Sequence, residues 1–259
     1  MARRIFYLWR LLWTGLAFAA LGIGGMILAL TVIPAATLFV RDPQARNRRA
    51  QGIIHESFRV YLWLLQAMGI LRLEVIGGEQ LRTCHGQLVV ANHPTLLDIV
   101  ILMALLPDAK CVGKRQLWRN PLLRPVVRAA GYIRNDGEPE VFIAQCREAL
   151  LAGYNLIIFP EGTRSVPGQA LHFQRGFAHI ALASGVKVRP VLITCRPITL
   201  VKGEPYYKIP ASPPHFRIEV SAAIDAAHYT HGTVGARALD ARKLVSSIEA
   251  DYYGRLNHG

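Results

Sequence analysis

Residues 11–40 read LLWTGLAFAALGIGGMILALTVIPAATLFV, thirty positions without one charge. About 20 apolar residues cross a bilayer as a helix, so this run is long enough to be membrane-embedded. Arg3, Arg4 and Arg10 precede it and Arg41, Arg46, Arg48 and Arg49 follow it, and basic flanks mark the cytoplasmic side of a membrane segment. A single span would put one of these flanks on the wrong side. A hairpin dipping into one leaflet would keep both in the cytoplasm, with Gly22, Gly24, Gly25 and Pro34 as places to break the helix. A true span stays open, because glycine is also common in spanning helices. A cleaved signal peptide fits less well, since only six uncharged residues precede Ala17-Phe18-Ala19, too few for a signal core. Residues 52–71 then place Ile54, Phe58, Tyr61, Leu62, Leu65 and Met68 at helical spacing opposite His55, Glu56, Arg59 and Gln66. This predicts an amphipathic helix that either packs on a core or lies in the interface beside the first segment.

After residue 71 the pattern changes to short β-rich runs alternating with helices, the alternation an α/β domain requires. Strands are predicted over 72–76, 87–91, 110–112, 131–133, 155–159, 188–194 and 216–221, and helices over 94–106, 120–130, 138–152, 176–184 and 234–252. Gly153 and Gly185 end two of these helices. The runs Leu88-Val89-Val90 and Leu156-Ile157-Ile158-Phe159 are continuously apolar, as in strands buried on both faces. The expected fold is therefore α/β, a central, mostly parallel sheet flanked by helices (residues 72–259), preceded by a membrane-associated helical region (residues 1–71).

Charge narrows the setting. Lys and Arg outnumber Asp and Glu by 30 to 17, a net charge of +13, and 24 of the 30 are arginine. Residues 1–72 carry nine Arg and two acids, net +7; the remaining 187 residues carry 21 minus 15, net +6. Hydrophobic residues make up 52% of the chain and charged ones 18%, against about 25% charged in ordinary soluble domains. A nucleic-acid binder would show basic stripes interleaved with aromatics on a polar chain; positive charge on an apolar chain suits an anionic membrane surface instead. Cys84, Cys111, Cys146 and Cys195 form neither a CxxC pair nor a zinc pattern, and read as reduced structural thiols.

Ligands of open α/β sheets bind beyond the carboxyl ends of the strands, where this chain has two unusual loops. The first is Ala91-Asn92-His93-Pro94-Thr95-Leu96-Leu97-Asp98. Pro94 suits a first helical position, which leaves His93 off the helix and Asp98 inside it. In one continuous helix the two side chains would point about 140° apart at ~100° per residue; off the helix, the His93 ring can turn back to the carboxylate. A carboxylate on one imidazole nitrogen leaves the other free as a base for an attacking alcohol. The plainer reading is a capping histidine and an aspartate placed by the helix dipole. The second loop is Phe159-Pro160-Glu161-Gly162-Thr163-Arg164-Ser165: a tight glycine turn, two hydroxyls and a guanidinium able to fork onto a phosphate. Arg175 and Gly176 then open a helix whose free amides favour an anion.

Together, NHPTLLD and FPEGTRS match in order and separation the HxxxxD and FPEGTRS blocks of the lysophospholipid acyltransferases, and residues 71–221 resemble that 1-acylglycerol-3-phosphate acyltransferase family. The resemblance implies a glycerolphosphate acyltransferase-like fold and a general-base mechanism without an acyl-enzyme. In it His93 takes the proton of the acceptor hydroxyl and Asp98 orients it. Glu161, Gly162, Thr163 and Arg164 would form the acceptor-binding block, with Arg164 the phosphate ligand, while Arg175 falls where members often carry a basic residue. Pro190, in Val188-Arg189-Pro190-Val191, would shape the acyl or acceptor pocket.

One family block departs from the pattern. In Gly131-Tyr132-Ile133-Arg134-Asn135-Asp136 the position of the phosphate-binding arginine holds Asn135, with Arg134 one residue early, and a shift of one turns a strand side chain to the other face. The resemblance thus implies transfer of a fatty acyl group to a lysophospholipid hydroxyl, first of all 1-acylglycerol-3-phosphate. A lyso-ornithine lipid, an aryl-polyene-type lipid or a non-catalytic lipid-binding role are the alternatives. No cofactor or metal is expected; the partners are an acyl-CoA or acyl carrier protein donor, a lysolipid acceptor and an anionic membrane surface, without nucleic acid. The expected location is the inner (cytoplasmic) membrane, with the catalytic domain on its cytoplasmic face.

Overall fold

The computed structural model describes residues 2–121, 123–230 and 237–258. The apolar N-terminal run forms one continuous helical rod: α1 (Ala2–Ile27), a π-helical turn (Leu28–Val32) and α2 (Ile33–Thr37). The expected break at the glycines is absent. Gly25 instead permits close packing, since a Cβ there would lie 3.3 Å from the Val126 side chain. Pro34 cannot donate to the preceding turn, and the widened π turn just before it absorbs that fault without ending the helix. α3 (Pro43–Ala67) starts nine residues before the expected 52, because Asp42 caps it by accepting from Gln44 and Ala45 and Pro43 fits the first turn.

The sheet region comprises β1 (Arg72–Ile76), α4 (Gly78–Arg82), β2 (Leu88–Ala91), α5 (Asp98–Leu105), β3 (Ala109–Gly113), α6 (Arg115–Arg119), α7 (Arg124–Ala129), β4 (Ile133–Arg134), α8 (Pro139–Leu151), β5 (Asn155–Ile158), α9 (Gly176–Ser184), β6 (Lys187–Arg196), β7 (His215–Val220), β8 (Ile224–Asp225), a 3-10 turn (Ala226–Tyr229) and α10 (Arg237–His258). The strand order is β1-β7-β6-β2-β5-β3-β4, with β8 beside β6. From β6 to β4 all neighbours are parallel, β1 pairs parallel with β7, and β7 and β8 meet β6 antiparallel. The mostly parallel α/β expectation holds.

Side-chain alternation divides the core between the two faces. Val89, Ala91, Ile157 and Val191 pack with α5, α3 and part of α1. Leu88, Val90, Leu156 and Ile158 pack with α8, α9 and α10. Both central strands, β2 and β5, are buried throughout, as their unbroken apolar runs predicted. Ile54, Leu62 and Leu65 of α3 lie in the first of these clusters, so the N-terminal helices share a core with the sheet. Gly153 and Gly185 adopt positive φ at their helix ends, and all four cysteines are free and buried.

Several boundaries moved for local reasons. The strand expected over 131–133 is Ile133–Arg134, because Gly131 sits at φ 64, outside strand geometry. The helix expected over 120–130 is α7, six residues long, preceded by α6, and Leu122 lies outside the described residues. α10 replaces the helix expected over 234–252; positions 234–236 lie outside the described residues. The helix expected over 94–106 begins at Asp98, so Pro94 is not its first residue.

Candidate active site

The late start of α5 builds the site. Thr95 N–H donates to Asp98 Oδ2 at 2.7 Å, the Thr95 hydroxyl bonds Asp98 Oδ1 at 2.6 Å, and Leu97 N–H donates to the Thr95 hydroxyl at 3.2 Å. These side-chain bonds compete with helical ones and wrap residues 93–97 around the carboxylate. His93 Nδ1 lies 2.8 Å from Asp98 Oδ2, with Asp98 wholly buried and the His93 side chain 19% exposed. Because Oδ2 also accepts the Thr95 N–H, Nδ1 carries the proton and Nε2 is left as the open nitrogen. The Phe159 ring stacks on His93 at 4.1 Å between centroids, which fixes the imidazole plane. Burial pushes the Asp98 carboxyl above the usual carboxylate range, opposed by the bond and charge of His93 and by both Thr95 bonds.

The second loop is bonded to the first. Glu161 Oε1 accepts His93 N–H at 2.9 Å and the Ser165 hydroxyl at 2.8 Å, and Ser165 N–H donates to the His93 carbonyl at 2.7 Å. Burial raises the Glu161 carboxyl, opposed by these two donors and by the charge of His93. Gly162 turns at φ 66, and a Cβ there would meet the Gln174 amide at 2.9 Å. Arg164 donates through Nη1 to the carbonyls of Leu200 and Val201 at 2.8 and 3.0 Å. One side of its guanidinium therefore fastens this loop to the segment after β6. Thr163 is half-buried, and Arg175 stands exposed just before α9.

Three expected site residues lie elsewhere. Pro190 is buried inside β6 opposite Val90, in the sheet itself. Arg134 and Asn135 diverge as adjacent strand-end residues do. Arg134 holds Asp136 through two bonds of 3.0 and 2.6 Å and lines a cleft beside β4. Asn135 lines a separate 290 Å³ pocket with Lys114, Arg115 and Arg119. Sequence reasoning missed these three cations, whose only signal was the run Gly113-Lys114-Arg115 at the end of a strand.

It also missed two residues that part the sheet beneath His93. Asn92 donates from its amide to the Ile193 carbonyl at 2.8 Å and accepts Ile193 N–H at 2.7 Å. Tyr252, wholly buried on α10, donates to the Val90 carbonyl at 2.6 Å and accepts Val191 N–H at 2.9 Å. A hydroxyl and an amide thus stand where β2 and β6 would otherwise bond directly.

Fold and site define an α/β protein with a histidine–aspartate pair at the carboxyl edge of its parallel strands. Residues 72–194 match the family described as Acyltransferase. Over 158 residues, 59% of this chain and 49% of the relative, it is 32% identical to a 1-acyl-sn-glycerol-3-phosphate acyltransferase of Cocos nucifera. Over 167 residues, 62% of this chain and 57% of the relative, it is 33% identical to a protein of the same name from Limnanthes alba. The chain spans about half the length of these relatives. Its fold matches the crystal structure of the 1-acyl-sn-glycerophosphate (LPA) acyltransferase PlsC from Thermotoga maritima, with a TM-score of 0.68 over 96% of this chain and 97% of that one, at 21% identity.

Proposed function

We propose that the protein is a membrane-bound O-acyltransferase that moves a fatty acyl group from an acyl thioester, acyl-CoA or acyl carrier protein, to the free hydroxyl of a lysophospholipid, first of all 1-acylglycerol-3-phosphate. The observation that carries this reading is the 2.8 Å contact of His93 Nδ1 with buried Asp98 at the carboxyl end of β2. Nε2 takes the hydroxyl proton as the acceptor oxygen attacks the thioester carbonyl. The carbon–sulfur bond breaks, and the proton passes from Nε2 to the departing sulfur. No covalent acyl-enzyme forms. Arg164, through the part of its guanidinium not bonded to Leu200 and Val201, and the cationic pocket around Asn135 supply positive charge for the acceptor phosphate.

Asn135 favours a second reading, an acceptor without phosphate such as a lyso-ornithine lipid or a hydroxyl of an aryl-polyene-type lipid, because the family arginine is replaced there by an amide. Purified protein offered labelled acyl-CoA and acyl carrier protein against a panel of lysolipids separates the two. Preference for 1-acylglycerol-3-phosphate supports the first reading, and turnover confined to a phosphate-free acceptor supports the second.

The N-terminal rod supports attachment in the membrane plane. Its 34 residues from Arg4 to Thr37 reach ~51 Å at about 1.5 Å each, beyond the ~30 Å hydrocarbon core. It also runs along the folded domain: Trp9 donates to the Met68 carbonyl, Tyr61 donates to the Ala17 carbonyl, and Gly25 abuts Val126 of α7. A rod flanked along its length by a domain bearing exposed Arg124 and Arg128 suits one leaflet, with Leu12, Leu16, Ile23, Ile27 and Leu30 facing lipid. The basic flanks support a setting on the cytoplasmic face of the inner membrane. Labelling of cysteines introduced at both ends of the rod, in sealed vesicles, tests it: reaction of both from the cytoplasmic side is expected, and reaction from opposite sides would establish a span.

A further inference from the structure

A 630 Å³ cleft runs beside β4, separate from the His93 loop. It exists because β4 is only two residues long and covers only Val112 and Gly113 of β3, so α8 and the start of α3 form the far wall. Trp118, Tyr132 and Phe142 give flat apolar surface, and Gln44, Asn47 and Gln145 add amides. Lys110 lies on the wall with Nζ 3.9 Å from the centroid of the Tyr154 ring, near Glu148. At the mouth, Asp136 is paired with Arg134 and Arg115, and Arg119 adds to the positive field around it. The interior is nearly neutral and the mouth is cationic.

We infer that this cleft binds the adenosine 3′-phosphate half of coenzyme A, which makes acyl-CoA the donor. The inference rests on the acyl-transfer reading and names the donor class for the same site. A purine needs a flat aromatic wall and amide groups that can donate and accept, as the interior offers. The diphosphate needs a guanidinium, as Arg134 offers at the mouth, and Lys110 is placed for the 3′-phosphate. A volume of 630 Å³ lies within the range of about 300–1,000 Å³ typical of small-molecule and cofactor sites.

The distance to the reaction centre also fits. β4 lies three strand positions from β2, across β5 and β3, or ~14 Å at about 4.8 Å per strand. The pantetheine arm is about as long as four residues of extended chain, ~14 Å. With phosphates at the Arg134 mouth, its sulfur reaches the end of β2, where His93 stands. The face carrying Asn135 and Lys114 stays open to the acceptor phosphate. A carrier protein brings the same arm but no adenosine, and would leave the cleft unfilled.

The test compares one acyl chain carried on CoA and on pantetheine, with calorimetric binding of adenosine 3′,5′-bisphosphate as a readout independent of turnover. Wild-type protein is expected to bind the bisphosphate and to show a KM at least about fivefold lower for acyl-CoA, the least that one base stacked on an aromatic wall provides. In Trp118→Ala this KM ratio falls toward one and bisphosphate binding is lost. Val141→Trp, which fills the cleft from an exposed position on α8, does the same without touching the core. Equal KM values for the two thioesters in wild type, or bisphosphate binding unaffected by both substitutions, would overturn the inference. Turnover of acyl-pantetheine without a CoA preference would remove only this site, whereas failure of both thioesters would remove the acyl-transfer reading beneath it.

Discussion

The Asn92 side chain holds both backbone groups of Ile193, donating to its carbonyl at 2.8 Å and accepting its N–H at 2.7 Å, one residue before His93 leaves the sheet. The amide replaces a strand contact and fixes where His93 departs from β2. Asn92→Ala leaves two buried backbone groups unpaired, at a cost of about 1–3 kcal/mol. It also frees the base to shift, and a displacement on the 1 Å scale lowers kcat by roughly 100-fold. Denaturant unfolding and steady-state kinetics check both, with the loss expected in kcat more than in either KM.

Tyr252 acts one step deeper. Tyr252→Phe keeps the ring packed against Phe173 but removes the hydroxyl between Val90 and Val191. Unless β2 and β6 close up, stability falls by about 1–3 kcal/mol; if they do close, stability recovers and the His93 loop moves instead. Either way kcat drops, and a variant matching the parent in both stability and kcat would contradict this role.

Glu161 carries a pH dependence of defined sign. Burial raises its folded-state pKa, so the protonated carboxyl is the form better suited to the fold, and its contribution is lost as pH rises through that raised value. Glu161→Gln stays neutral at every pH and keeps an oxygen for His93 N–H and the Ser165 hydroxyl. The stability of the variant relative to the parent should therefore increase from the ordinary glutamate pKa, about 4.3, up to the raised one, and level off above it. Unfolding free energies at a series of pH values show this; a difference that shrinks with rising pH would contradict it.

Arg164 has two attachments to lose. Arg164→Ala releases the Leu200 and Val201 carbonyls and removes charge from the acceptor side. A charge-assisted contact of about 1.5–3 kcal/mol corresponds to a KM increase of roughly 10- to 150-fold for a phosphorylated acceptor. The KM of the donor should change less, and kinetics with each substrate varied in turn separate the two.

Strands β2 and β5 were legible because burial on both faces leaves the unbroken apolar runs Leu88-Val89-Val90 and Leu156-Ile157-Ile158, and their carboxyl-end loops carried their chemistry within a few residues. The ring of bonds around Asp98 was only half legible: the turn of His93 back to the carboxylate follows from its place off the helix, but Thr95 takes the first turn of the expected helix for itself. Glycines in an apolar helix signal either a break or a close neighbour, and only the position of Val126 decides for Gly25. Tyr252 lies 162 residues from Val90 with no local signal, since its role exists only once α10 packs under the sheet. The divergence of Arg134 and Asn135 followed from strand alternation, whereas the cations that surround Asn135 come from β3 and α6 and needed the fold.

The central claim is that His93 is the base. Turnover of labelled acyl-CoA with 1-acylglycerol-3-phosphate by purified His93→Ala, beside a flotation measurement of membrane attachment, tests it most directly. The expected result is a fall in kcat of about 100- to 10,000-fold, the usual contribution of general-base catalysis, with attachment retained because the rod lies in another segment. Full turnover by the variant would contradict the assignment.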